Sequence, residues 1–206
     1  MRPSLSTALL ALATVAGTVL AVAPSAAATL PGYTWLQGQP AGVDPHGLKV
    51  YVFKGSHAAA LATATQYAVT QQRRYGVRVS WGGYSSTSTR PIGIVVSQFS
   101  SCHPGLEGQA YANWYVIPGQ PNEIIGATVQ ICPRGFTDST AILRATLLHE
   151  LGHAVGLDHY NPIYAGHRQI MNPIVQPEDS TYQPGDIQGL QAVAANTARL
   201  AKLPGT

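Results

Sequence analysis

Three histidines within eleven residues constrain the local fold of this chain. His149 and His153 are four positions apart, so on an α-helix their imidazole rings lie on one face, one turn apart. A continuous helix would carry residue 159 far along its axis, but Gly156 permits the chain to turn back so that His159 can reach the other two rings. The spacing therefore predicts a helix that ends at Gly156 and three imidazole rings that converge.

Three converging imidazoles are a suitable ligand set for zinc. Neutral imidazole binds zinc at about 2.0–2.1 Å, and three protein ligands leave a fourth position for water, as in catalytic sites. Glu150 directly follows the first histidine, so we expect its carboxylate to lie beside the metal, take a proton from metal-activated water and pass it to a leaving amine. The residues thus predict one catalytic zinc ion and Glu150 as general base. The alternative is a zinc-containing binding or inhibitory protein without turnover.

Residues 149–159 resemble the H-E-x-x-H-x-x-G-x-x-H signature of the metzincin zinc proteases. The residues that fill the variable positions are similar to those of the matrixin branch: Gly152, Ala154, Leu157 and Asp158. Metzincins place a methionine turn beneath the zinc, and the segment around Met171 resembles it. Residues 183–191 resemble the start of the matrixin C-terminal helix. The resemblance implies that Met171 supports the metal site without binding the ion.

The same resemblance implies a secreted endopeptidase that hydrolyses peptide bonds. Its peptide substrate would lie extended along an edge strand within residues 110–115, and residues 173–175 would form a wall of the pocket beyond the scissile bond. Segments that carry structural zinc and calcium in animal matrixins are missing, so one metal is expected and calcium stays open. A second resemblance is to snapalysin-like small bacterial proteases, whose third ligand is an aspartate followed by histidine. Asp158-His159 is similar to that pair, but the spacing favours His159 as the third ligand.

Several other side chains are candidates for a role in transition-state stabilisation. His167 lies between the third histidine and Met171, and three tyrosines could each offer a hydroxyl group. These are Tyr160, Tyr164 and Tyr182. Packing is the alternative for each tyrosine, and the sequence does not decide between the two.

The hydrophobic patterns predict an α+β domain. Alternating or continuous apolar segments predict strands, and apolar residues at helical spacing predict three helices. The predicted strands are 48–53, 77–81, 92–99, 110–117 and 125–132. The predicted helices are 58–75, a helix capped by Asp138 or Ser139 that stops at Gly156, and 184–200. Residues 29–46 show no periodicity and are interpreted as a lead-in segment. The order agrees with a matrixin-like catalytic domain, with one twisted mixed sheet of about five strands and three helices.

The first 28 residues have the features of a signal peptide. Arg2 precedes an uncharged run rich in Ala, Leu and Val, and small residues follow up to Ala28. A membrane anchor is the alternative, because the run approaches the length that spans a bilayer. The adjoining small residues favour export with cleavage near Ala28, which leaves residues 29–206 as a secreted, extracellular catalytic domain with no membrane association.

Cys102 and Cys132 are the only cysteines of the chain. An even number in an exported chain predicts a disulfide, with two free thiols as the alternative. The basic residues are scattered apart from the pair Arg73-Arg74, so no stripe of positive charge indicates nucleic-acid binding. The expected partners are therefore protein or peptide substrates, and the expected state is a monomer.

Overall fold

The computed structural model describes residues 31–90, 92–100, 102, 105–137 and 139–204. The predicted signal peptide at 1–28 lies outside the described residues. The strands are β1 (Thr34–Trp35), β2 (Ala41–Val43), β3 (Leu48–Phe53), β4 (Val79–Ser85), β5 (Gly93–Gln98), β6 (Gly108–Tyr115), β7 (Asn122–Ile131) and β8 (Leu157–Asp158). The helices are α1 (Ala58–Arg74), α2 (Arg134–Thr137), α3 (Thr140–Ala154) and α4 (Pro184–Leu200), and a short 3-10 turn covers Leu36–Gly38.

The main sheet has six strands and is mostly parallel. The order is β2-β7-β5-β3-β4, and β6 pairs with β7 as the antiparallel member. The register places Val50 beside Ile94 and Ile94 beside Ala127. Helix α1 connects the parallel neighbours β3 and β4, as a crossover between parallel strands requires. The predicted α+β class is confirmed, with one more strand in the sheet and one more helix than expected.

Burial explains why the periodic segments form these elements. In β3 the side chains of Leu48, Val50 and Val52 are buried while Lys49 is exposed, which is the alternation of a strand covered on one face. All residues of β5 except Gln98 are buried, which is the burial typical of a central strand in a parallel sheet. Helices α1 and α3 pack against each other and against the sheet.

Helix α3 begins and ends where side-chain chemistry indicates. Ser139 is its N-cap, and the Ser139 hydroxyl accepts a hydrogen bond from the backbone N–H of Ile142 at 3.1 Å. The helix ends at Ala154, two residues before Gly156, whose φ of 102° lies in the left-handed region. None of the helices among the described residues is long and apolar enough to cross a membrane.

Two short pairings occur in segments without periodicity. β1 pairs antiparallel with β8, which places Thr34 opposite Asp158 and Trp35 opposite Leu157. β2 pairs in parallel with the start of β7. The segment interpreted as a lead-in therefore contributes strands to two sheets.

The predicted disulfide is confirmed, since Cys102 and Cys132 are bonded. Cys132 is buried, and its backbone N–H donates to the carbonyl oxygen of Glu107 at 2.9 Å. The bond therefore joins the end of β7 to the segment that leads into β6.

Candidate metal centre

The three predicted histidines converge on one point. The Nε2 atom of His153 lies 3.1 Å from that of His149 and 3.2 Å from that of His159, and the three rings can hold a metal ion between them. Tetrahedral zinc with bonds of about 2.05 Å holds its ligand nitrogens about 3.3 Å apart. His149 and His153 are buried and His159 is exposed, so the cluster is open on the side of the third ring.

Hydrogen bonds turn the Nε2 lone pairs of two rings toward that point. The Nδ1 atom of His149 lies 2.8 Å from the carbonyl oxygen of Ile170, and that of His153 lies 2.8 Å from the carbonyl oxygen of Leu157. A carbonyl oxygen only accepts, so each Nδ1 carries the hydrogen and each Nε2 presents a lone pair. Metal-binding histidines are commonly oriented in this way.

Burial keeps these two rings neutral. Desolvation lowers the pKa of His149 to about 3 and that of His153 to about 4, and in each ring a hydrogen bond to a backbone carbonyl acts in the opposite direction. Two neutral rings whose lone pairs face each other at 3.1 Å repel unless a cation lies between them. The donor set therefore fits a metal ion by its chemistry as well as by its spacing.

Gly156 makes the turn that returns the chain to the cluster. A Cβ atom there would lie 2.7 Å from the Cβ of Ala41 and 3.0 Å from Cδ1 of Ile124, in addition to the strain of a positive φ. Beyond the turn, the carboxylate of Asp158 accepts the backbone N–H of His159 at 2.7 Å. Among the described residues Asp158 is not a member of the histidine cluster; its side chain holds the backbone of its neighbour.

Glu150 is a buried carboxylate beside the cluster. Its side chain is 5% exposed, and its Oε2 atom has no hydrogen-bond partner among the described residues. Desolvation raises the pKa of Glu150 to about 8. A cation held by the histidines would favour the charged form and so act in the opposite direction. This carboxylate therefore has one buried oxygen whose hydrogen-bonding capacity is not used within the described residues.

The histidines and Glu150 line a cleft of about 420 Å³. The segment that enters β6 and residues 173–175 both line the cleft. The other lining residues are Leu36, Gly105, Leu106, Glu107, Gly108, Gln109, Ala110 and Asp158. Both segments that the matrixin resemblance assigned to substrate binding thus border the cleft, although only Ala110 of residues 110–115 does so.

Met171 lies beneath helix α3. It is fully buried, and a Cβ atom added to Gly152 would overlap its Sδ atom. The carboxylate of Asp186 accepts the backbone N–H groups of Ile170 at 2.7 Å and Met171 at 3.1 Å. Because the carbonyl oxygen of Ile170 also accepts the Nδ1–H of His149, Asp186 helps to orient the His149 ring through the backbone of Ile170.

The remaining candidates lie outside the cleft lining given above. Tyr182 is buried, and its hydroxyl donates to the carbonyl oxygen of Leu148 at 2.8 Å and lies 3.1 Å from Nε2 of Gln72. The backbone groups of Tyr164 and His167 bond to each other in a tight turn. Within the described residues, none of these side chains, nor that of Tyr160, borders the cleft.

Sequence reasoning missed several residues that contact the site, and three of them make close contacts. Gly108 packs against Glu150, Thr34 donates to the backbone of His159 at 2.6 Å, and Leu36 lines the cleft. Gly108 lies two residues before the predicted strand 110–117 and is the first residue of β6, where a glycine can mark a close approach of other atoms. Thr34 and Leu36 have no comparable signal in the sequence.

Comparisons with known proteins add little. No protein-family model matches this chain, and no curated protein matches it. A solved structure titled "GM1 bound form of the ECX AB5 holotoxin" aligns with 79% of this chain and 87% of that chain, at 14% sequence identity and a TM-score of 0.43. A similarity of this size does not inform the function.

Proposed function

We propose that this protein is a secreted zinc-dependent endopeptidase of the matrixin-like branch of the metzincins. One observation carries the proposal: three Nε2 atoms converge within a cleft that also contains a buried carboxylate with an unpartnered oxygen. The signature in residues 149–159 supports the family, and the disulfide is compatible with an oxidising compartment outside the cell.

The residues of the chain have distinct roles in this proposal. His149, His153 and His159 would hold the ion. Zinc supplies Lewis acidity, which polarises a carbonyl group and lowers the pKa of water. The carboxylate of Glu150 would take a proton from the attacking water and deliver it to the leaving amine nitrogen, so that one carboxylate serves both steps.

The cleft is suited to an extended peptide. Within the described residues, β6 pairs with β7 alone, so its other edge is available for the backbone hydrogen bonds of an added strand. Residues 173–175 also line the cleft, and they include Ile174, which is 68% exposed. An exposed apolar residue at this place favours a peptide side chain as its contact.

The proposal is tested with Glu150→Gln, which removes the base and leaves the three imidazoles in place. We expect zinc content to be retained and hydrolysis of casein or gelatin to fall about 10²–10⁴-fold, the usual contribution of general acid–base catalysis. Glu123→Gln is the matched control, because Glu123 pairs with Tyr115 at the other end of β6. It should keep both zinc and activity.

Two outcomes would contradict the proposal. Near-normal turnover by a zinc-loaded Glu150→Gln protein would remove Glu150 from the mechanism. A wild-type chain that binds zinc but cleaves no peptide in a proteome-derived library would instead favour the binding or inhibitory protein.

A further inference from the structure

We infer that residues 32–36 form a strap that positions the third histidine, so that metal affinity depends on Thr34 and Leu36. The inference rests on the proposed metal centre and concerns how that centre is held together. Thr34 and Leu36 would be positioning residues, since they contact the backbone around His159 and not the ion itself.

The strap contacts each residue of the turn that ends in His159. The backbone N–H of Leu36 donates to the carbonyl oxygen of Gly156 at 2.9 Å. The hydroxyl of Thr34 donates to the carbonyl oxygen of His159 at 2.6 Å. Between these two bonds, β1 pairs with Leu157 and Asp158. The whole return segment is therefore held against the strap.

His159 needs this support more than the other two histidines do. His149 and His153 lie on α3, and a backbone carbonyl orients each ring through its Nδ1 atom. Among the described residues, no hydrogen bond is made by Nδ1 of His159, and its side chain is exposed. Its direction is consequently set by its backbone, whose N–H is held by Asp158 and whose carbonyl is held by Thr34.

The strap is itself anchored to α4. The backbone N–H of Gly32 donates to Oε1 of Gln188 at 2.8 Å. A Cβ atom on Gly32 would lie 2.7 Å from the Cα of Gly185, and one on Gly189 would lie 3.0 Å from the Cβ of Tyr33. These close backbone contacts tie the strap to a long helix, which makes it a firm support for the turn.

The pairing also affects the second histidine. The carbonyl oxygen of Leu157 accepts the Nδ1–H of His153, and Leu157 is paired with Trp35. Loosening of β1 would therefore disturb two of the three ligands, while His149 stays bound to Ile170.

The test uses two substitutions in the full-length chain, each with a matched control. Thr34→Val removes the hydroxyl and retains shape and strand preference; Thr63→Val removes an exposed hydroxyl that donates to Ala59 within α1. Leu36→Pro removes the N–H, and proline is compatible because Trp35 is extended, with ψ 140°. Val116→Pro is its control, because Val116 is exposed, follows the extended strand β6, and its N–H makes no hydrogen bond among the described residues.

Zinc affinity is measured by competition with a chelating indicator, and cobalt(II) absorption reports the coordination of the ion. We expect Thr34→Val and Leu36→Pro each to weaken zinc binding about 2- to 10-fold, the value of one hydrogen bond. We also expect both to change the cobalt spectrum in the direction of His159→Ala. Thr63→Val and Val116→Pro should retain the wild-type affinity and spectrum.

Wild-type affinity and spectrum in both Thr34→Val and Leu36→Pro, with a clear loss in His159→Ala, would overturn the inference. If Leu36→Pro shows no thermal unfolding transition, the comparison of Thr34→Val with Thr63→Val decides alone. Zinc binding without peptide hydrolysis in the wild-type chain would overturn only the proposed function. Absence of zinc binding in the wild-type chain would overturn both.

Discussion

Three glycines provide the space that the candidate metal centre occupies. Gly152 leaves room for the sulfur of Met171 beneath α3, and Gly156 permits the turn toward the third histidine. Gly108 stands where β6 passes Glu150: an added Cβ would lie 2.8 Å from Cγ and 2.9 Å from Oε1 of Glu150. A methyl group at any of these positions would displace a side chain or segment of the site.

Gly108→Ala should displace the carboxylate of Glu150 without changing the three histidines, so it tests the two parts of the site separately. The added methyl group must push the carboxylate of Glu150 away, because Thr146 also lies only 3.0 Å from that point. We expect hydrolysis to fall about 10²-fold, as for a misplacement of about 1 Å at a reacting group, while zinc affinity stays within about twofold. Peptide turnover and zinc titration of the same preparation provide the measurement.

Gly55→Ala is the control for this substitution. A Cβ atom on Gly55 meets nothing nearer than Phe53 at 4.0 Å, so activity and metal binding should both persist. Full activity in Gly108→Ala would show that Glu150 has space to move without consequence, and that its observed position is not required.

At the scale of elements, the long periodic segments were predictable and the short ones were not. The predicted strand 48–53 and the predicted helices agree closely with β3, α1, α3 and α4, because each has enough residues to show a burial pattern. β1, β2 and β8 have two or three residues each. A strand that short has no periodicity, and its pairing partner is set by distant residues.

The same difference applies to the site. The sequence predicted the histidines and Glu150 because their spacing on a helix and turn is local. The support of His149 by Asp186 through Ile170 joins residues 16 to 37 positions apart, and the contact of Thr34 with His159 spans 125 positions. Such contacts depend on how the elements pack, and a single sequence contains no local pattern for them.

The start of α4 yields a prediction about pH. Asp186 is 1% exposed, and burial raises its pKa to about 6, although N–H bonds from Gln183, Ile170 and Met171 act to lower it. The unfolded value is about 3.9. Because the folded state holds the proton more tightly, this group stabilises the protein below about pH 4, and that stabilisation is lost as the pH rises through about 6.

Urea unfolding of metal-free protein between pH 4 and pH 7 checks this expectation. The wild-type free energy of unfolding should fall by roughly 2–3 kcal/mol more than that of Asp186→Asn over this interval. Asp186→Asn should also be less stable at every pH, since its amide cannot accept all three N–H bonds. A steeper fall in the variant would show that the N–H bonds outweigh burial and hold the pKa low.

For the whole molecule, the disulfide limits the freedom of the unfolded chain. Cys102 and Cys132 are 30 positions apart, and closure of a loop of that length stabilises a fold by about 3–4 kcal/mol. The three histidines of the candidate metal centre lie outside this loop. We expect reduction to lower the free energy of unfolding by about that amount while zinc affinity changes much less, as measured by denaturant titration and zinc competition with and without reductant.

Mass spectrometry of the non-reduced protein provides the control, and should find the two cysteine peptides linked. Alkylation of both thiols without prior reduction would show that the bond is absent in the folded protein. If reduction weakened zinc binding as much as it lowered stability, the result would contradict this expectation. It would show that the cleft-lining segment near Glu107 supports the metal.

The pairing of β1 with β8 delays the completion of the candidate metal centre during synthesis of the chain. During synthesis, α3 can form within microseconds of its emergence and present two histidines. The strap that holds the third histidine is anchored by Gly185 and Gln188, which leave the ribosome roughly 1 to 6 seconds after His159 at rates of about 5–20 residues per second. A chain whose synthesis stops before α4 would therefore bind the ion weakly. Only chains that include α4 would retain the ion tightly.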